Sequence, residues 1–260
     1  MKIAHECPLS IFEEVQAVTD YDYCLVHLLE ENEQYRRKFI EAKKKGREII
    51  LDNSLFELEV PFDPESFARH ILMLEPTWYI IPDKLEDKTF TINSIKRWNS
   101  EYGKLPGKSI GVVQGKTKEE VFECYREIEP MVDMVAISFD YSFFITGDSR
   151  LTKYEQFMFG RVKLISDMMQ EGVINKERPH HLLGCGVPQE FVYYTTMPWI
   201  YSVDTSNPVV HGLFNIRYAD DGLRDKASQK LFTMINAVPN VHQKEDIFFN
   251  INMFRRFCNG

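Results

Sequence analysis

The stretch "EIILDNSLFELEVPFDPESFARHILMLEPTWYIIPD", Glu48 to Asp83, holds two strand-like runs with a helical pattern between them. "EIILDN" (Glu48–Asn53) and "WYIIPD" (Trp78–Asp83) are too short for helices. Their apolar character is nearly continuous, as expected of strands buried on both faces of a parallel sheet. Between them "DPESFARHILMLEP" starts on Asp63 as N-cap, has Pro64 in its first turn and stops before Pro76. Strand, crossover helix, strand is the unit of an α/β fold.

The same unit recurs along the chain. Further runs are "KIAHEC" (Lys2–Cys7), "YCLVHLL" (Tyr23–Leu29), "SIGVVQG" (Ser109–Gly115), "MVAISFD" (Met134–Asp140), "HLLGCG" (His181–Gly186) and "IYSVD" (Ile200–Asp204). Amphipathic segments separate them: "LSIFEEVQAV", "NEQYRRKFIEAKKKG", "TINSIKRWNSEYG", "TKEEVFECYREIEP" with a Thr117/Glu120 capping box, and Leu151 to Val173. "PQEFVYYTTMP" is short, "GLRDKASQKLFTMINAV" is expected to complete the eighth unit, and "KEDIFFNINMFRRF" to add a terminal helix. Eight strand–helix units in a chain of 260 residues predict a single-domain α/β fold, a (β/α)8 TIM barrel over residues 1–260 with a C-terminal helical extension. An open doubly wound sheet usually has fewer strands and a Gly-rich first turn, which is absent here.

Composition narrows the class. Hydrophobic residues make up 44% and charged residues 27%, ordinary for a globular protein. No apolar run reaches the roughly 18 residues that span a bilayer, and the N-terminus lacks a signal-peptide pattern, so a cytoplasmic protein is expected. Five scattered cysteines without a C-x-x-C pair argue against a disulfide framework or thiolate zinc site. The net charge of −8 excludes a surface coated in basic residues for nucleic acid. A local patch remains: Arg36, Arg37, Lys38, Lys43, Lys44, Lys45 and Arg47 share one helix, which reads as a solvated face or as a nucleic-acid contact.

In such barrels the active site lies at the C-terminal ends of the strands. The strand-ending residues here are Glu6, His27, Asp52 with Asn53, Asp83, Gln114, Asp140, Gly184 with Gly186, and Asp204 with Asn207. A single strand-ending Asp often caps the next helix. Four on one rim cost free energy unless a substrate or metal compensates them. Paired carboxylates suit glycosidic chemistry, one as nucleophile and one handling protons. A magnesium ion is the other use of such acids. No strand ends on lysine, which disfavours Schiff-base chemistry. His5 and His27 read as core histidines within strands, and His180-His181 as structural residues at a strand entry. The Gly-turn of "LLGCGVPQEF" is also suited to receive a phosphate.

"ILDNSLFE", "IIPDKLEDKT", "GVVQGKTKEE", "HHLLGCGVPQEF" and "YSVDTSNPV" follow one another on strands three, four, five, seven and eight. This collinear set, roughly Ile49 to Pro208, resembles the tRNA-guanine transglycosylase superfamily, which includes phage enzymes that insert 7-deazaguanines into DNA. The resemblance implies that Asp204 is the nucleophile attacking the sugar C1′ and that Asp52 is the acid assisting base departure. It implies that Asp83, Gln114 and the backbone around Leu183 and Gly184 frame the base, while the sixth strand, without the family's glycine-rich segment, offers Asp140 instead. Asn53, Ser54, Asn207, Arg36, Arg37, Lys43 and Lys44 are the candidate nucleic-acid contacts.

The chain departs from the family at Asn53-Ser54-Leu55, at Lys116, in the sixth strand and in lacking the C-terminal zinc site. The missing tRNA-contacting region favours DNA over RNA as partner. Tyr141, Phe143 and Phe144 are placed either to stack an extruded base or to pack the core. The expected activity is base exchange on DNA with a free modified nucleobase and without cofactor or metal. Excision of a base to an abasic site is the first alternative. A phosphate-binding barrel enzyme on a small metabolite is the second.

Overall fold

The computed structural model describes residues 1–227 and 229–260. Eight strands form one sheet in the order β1-β8-β7-β6-β5-β4-β3-β2: β1 Lys2–His5, β2 Asp22–Leu25, β3 Ile49–Asp52, β4 Trp78–Ile80, β5 Lys108–Val112, β6 Met134–Ser138, β7 His180–Leu183 and β8 Ile200–Thr205. All run parallel, the topology of an α/β (β/α)8 TIM barrel. The chain divides into two compact units, one of Met1–Asp20, Ser138–Gly172 and Leu182–Gly260, the other of Tyr21–Ile137 and Val173–His181.

In the second of these units β2, β3 and β4 are buried at every position. Their near-continuous apolar runs therefore meet core on both faces. Leu25 pairs with Asp52, Leu51 with Tyr79, Ile80 with Ile110 and Val112 with Ala136. The helices of this unit are α1 excepted, since α1 (Phe12–Gln16) belongs to the first unit: α2 Val26–Glu31, α3 Glu33–Lys44, α4 Leu55–Leu58, α5 Pro64–Leu74, α6 Lys88–Tyr102 and α7 Lys118–Ile128. Asp63 caps α5 by accepting from the Ser66 N–H at 2.8 Å, and α5 ends where Glu75 turns left-handed. Thr117 caps α7 at the Glu120 N–H, whereas the Glu120 carboxylate reaches the N–H of Lys116 rather than that of Thr117.

Most strands stop short of their expected runs, so that Asp83, Gln114 and Asp140 lie just past β4, β5 and β6, and in the second run the remainder is helical. β2 stops at Leu25 and Val26–Glu31 is helical, so His27 lies on a helix and not in a strand. A run of contiguous apolar residues has no period to separate the two states once it is buried all round.

The first unit contains β1, β8, the C-terminal half of β7, α8 (Lys153–Gln170), α9 (Asn207–Leu213) and α10 (Val241–Asn259). Ala4 pairs with Asp204 and His5 with Thr205. A 3-10 segment, Pro188–Tyr194, follows β7 in place of a full helix. Residue 228 of the expected helix at 222–238 lies outside the described residues; the described ones form no such helix, α9 beginning directly after β8 with Pro208 in its first turn and the described residues that follow being largely irregular. Tertiary hydrogen bonds override helix propensity there. Gln189 Oε1 accepts from the Leu223 N–H at 3.0 Å, and Gly222, at φ +103°, lies so close that a Cβ would sit 2.1 Å from that oxygen. The C-terminal extension, α10, packs on α9, where Asn250 accepts from the Tyr218 N–H and donates to the Ile216 carbonyl, both at 2.8 Å. Among the described residues, no helix is long and apolar enough to cross a membrane.

Candidate active-site residues

In the second unit, β3 carries Asp52 on its last residue, buried. Its Oδ2 accepts from the Tyr23 hydroxyl at 2.7 Å and its Oδ1 from the Ser54 N–H at 2.6 Å. The Ser54 N–H meets the carboxylate two residues earlier, and Ser54 itself then turns the chain with a left-handed φ of +60°. The Tyr23 ring stacks on His181 with centroids 6.0 Å apart. Asp52 is thus a positioned acceptor.

Asn53, Asp83 and Gln114 form one chain of hydrogen bonds across the ends of β3, β4 and β5. Asn53 Nδ2 donates to Asp83 Oδ1 at 2.8 Å and to the Ile81 carbonyl at 3.0 Å, while its Oδ1 accepts from the Leu55 N–H. Gln114 Nε2 donates to Asp83 Oδ2 at 2.7 Å, and its Oε1 accepts from the Glu86 N–H at 2.8 Å. These partners fix both amide orientations, so each presents a donor to Asp83. Burial pushes the Asp83 carboxyl up to about 6, against the two amide donors, which favour the ionised form.

In the first unit, Asp204 sits on β8, buried, and its Oδ1 accepts from the Gly184 N–H at 3.2 Å. Gly184 has φ +64°, and a Cβ there would meet the Phe139 ring at 2.7 Å. Only glycine turns the chain at this point and still clears that ring. The turn is held from behind by Arg161 of α8, whose Nη1 donates to the Leu183 carbonyl at 2.8 Å and Nη2 to the Gly184 carbonyl at 3.0 Å. Arg161 is fully buried and pairs through Nε with Glu190 Oε1 at 2.6 Å, an oxygen that also accepts from the Tyr194 hydroxyl at 2.7 Å. The Glu190 carboxylate keeps that guanidinium charged despite its burial.

Asp140, after β6, accepts from the Ser138 hydroxyl at 2.7 Å. Tyr141 and Phe144 are core residues, with half-buried Phe143 stacked on Tyr141 at 5.4 Å. Leu183 and Gly184 are half-buried.

The structure also brings in Lys226, which strand-end reasoning misses because it comes from the irregular chain after α9. Its Nζ donates to the Cys185 carbonyl at 3.1 Å and lies 4.9 Å from the Phe139 ring centroid and 5.9 Å from that of Tyr154. The Cys185, Asp140, Glu6 and Asp204 side chains are close enough to act electrostatically on it. Nothing in the local pattern "LRDKASQ" marks this lysine, since its position depends on the fold of the segment around it.

The candidate nucleic-acid contacts fall into two groups. Asn53, Ser54 and Asn207 are buried, and Asn207 donates to the Gly186 carbonyl at 2.9 Å and accepts from the Tyr218 hydroxyl. On α3, Arg36 donates to the Leu29 and Glu30 carbonyls at 2.7 and 2.6 Å, and Lys43 to that of Glu75. Arg47 pairs with Asp22, Arg37 pairs with Glu33 on the surface, and Lys44 and Lys45 are exposed. All five cysteines are buried. Among the described residues, no three His, Cys, Asp or Glu side chains gather into a group that could hold a metal ion. Neither protein-family models nor curated proteins match this chain.

Proposed function

We propose that the protein is an enzyme of the N-glycosidic bond of nucleic acids, acting in the cytoplasm on DNA and exchanging a base for a free 7-deazaguanine-type base. In this reading Asp204 attacks C1′, the C1′–N bond breaks, and its electron pair leaves on the base nitrogen, which takes a proton from Asp52. The incoming base gives its proton to the now ionised Asp52 and its nitrogen then displaces the Asp204 carboxylate from C1′. The transition state is oxocarbenium-like, and a carboxylate beside C1′ stabilises it.

The observation that carries this reading is the Gly184 N–H held on Asp204. A buried carboxylate on a strand, fixed by a left-handed glycine turn, is oriented before substrate arrives, and that preorganisation lowers the cost of reaching the transition state. Asp83, Gln114 and Asn53 offer a polar edge whose donors and acceptors have fixed directions.

The test is incubation with DNA duplexes and labelled 7-deazaguanine, comparing the wild type with Asp204→Asn and Asp52→Asn. Label incorporation by the wild type, and a covalent DNA–protein adduct that disappears in Asp204→Asn, are the expected results. Near-normal turnover by Asp204→Asn would remove the nucleophile assignment. A second reading keeps the same carboxylates but lets water resolve the intermediate and leave an abasic site; the amine of Lys226 beside the Gly184 turn favours it. Alkali-labile sites formed without added base distinguish excision from exchange.

A further inference from the structure

The Gly184–Cys185 turn presents two functional contacts: its first N–H holds Asp204, and its next carbonyl holds the ammonium of Lys226. Placing a lysine nitrogen there costs solvation. The structure offsets this with the Cys185 carbonyl and the Phe139 and Tyr154 ring faces. A surface lysine that only tethered its loop would keep its ammonium in water. This one is half-buried and turns its ammonium inward onto the Cys185 carbonyl, one residue on from the N–H that holds the carboxylate which the glycosidic reading makes the nucleophile.

We propose that Lys226 is a second reactive group of this unit, whose amine condenses with the aldehyde carbon of a sugar that has lost its base and holds it as an imine. The inference rests on the glycosidic reading for the identity of that sugar. The atoms balance without any further reactant: nitrogen bonds to C1′ of the ring-opened sugar, and the carbonyl oxygen leaves as water with both amine hydrogens. Water reverses the step.

The amine must react in its neutral form, and burial works toward that form while the Cys185 carbonyl and the ring faces hold the cation in place. Burial lowers the lysine below its usual range, while the nearby Asp140, Glu6 and Asp204 carboxyl groups act the other way. The carboxylates among these groups also accept the proton that the amine gives up. Imine formation would keep an abasic sugar, a reactive aldehyde, on the protein until the next step.

The experiment uses the full chain and a duplex carrying a preformed abasic site, with sodium cyanoborohydride as trap. Because no base has to be removed, the outcome is independent of Asp204 acting as a nucleophile, which is measured separately on intact DNA. The expected result is a borohydride-dependent covalent adduct that peptide mapping places on Lys226. In Lys226→Arg and Lys226→Met, each checked for folding by circular dichroism, the adduct should fall at least tenfold. Absence of a wild-type adduct, or an adduct mapped to another residue, would overturn the proposal.

Discussion

Arg161 and Asp204 hold opposite ends of one peptide bond. The guanidinium donates to the Leu183 carbonyl at 2.8 Å, and the N–H of the same peptide, on Gly184, donates to Asp204 at 3.2 Å. A cation on the carbonyl polarises the peptide and strengthens its N–H as a donor. Glu190, by pairing with Arg161, fixes the cation that does this.

Arg161→Met therefore leaves the Glu190 carboxylate buried without its cation, and should cost about 3–5 kcal/mol in urea denaturation. The double variant Arg161→Met/Glu190→Gln removes both charges and should recover more than half of that loss. If the double variant is no more stable than the single one, the pair is not the cause.

Gly184→Ala should destabilise by about 2–4 kcal/mol, from a left-handed non-glycine residue and from overpacking against Phe139. A double-mutant cycle with Phe139→Ala should show a favourable coupling of about 1 kcal/mol or more, since only the clash depends on the ring. Under the glycosidic reading, kcat should fall with the N–H displaced from Asp204.

Asp83 gives a pH dependence of defined sign. Its carboxyl is raised to about 6 in the folded protein, so between about pH 4 and pH 6 the folded state binds more protons than the unfolded state. The contribution of Asp83 to stability is then fullest below the unfolded value and is lost as pH rises through 6, by about 3 kcal/mol. The stability difference between wild type and Asp83→Asn should shrink by about that amount from pH 4 to pH 7. A difference independent of pH would mean that Asp83 titrates normally.

The α3 cations divide by role. Lys44→Glu/Lys45→Glu should leave stability within about 0.5 kcal/mol, while DNA binding weakens and its salt slope falls by about 2. Arg36→Ala should instead cost about 1–3 kcal/mol by leaving the Leu29 and Glu30 carbonyls without its guanidinium. An unchanged salt slope in the lysine variant would make α3 an ordinary solvated face.

The strands were the legible part of this fold, because runs such as Ile49–Asp52 are bounded by turn residues and buried on both faces. Helix starts were legible where a side chain caps them, as at Asp63. His27 and the segment after α9 were not, since burial on all sides erases period and tertiary bonds outweigh propensity. Asp52 and Asp204 can be read from their places on β3 and β8, and Asp83 and Gln114 from apolar runs that continue a few residues past β4 and β5. Their partners cannot: Arg161 looks like any helical arginine in "FMFGRVKLI", and Lys226 like any loop lysine.

The pairing of β1 with β8 sets an order of events during synthesis. Lys2 meets Ser202, and His5 packs against Phe254 of α10 with ring centroids 5.6 Å apart. β1 thus leaves the ribosome well before β8 and α10, its partners, and at about 5–20 residues per second that interval is roughly 10–50 s. Throughout that interval Ile3 and Ala4, both fully buried in the finished protein, have no β8 to cover them, so nascent chains are expected to bind chaperones through this segment.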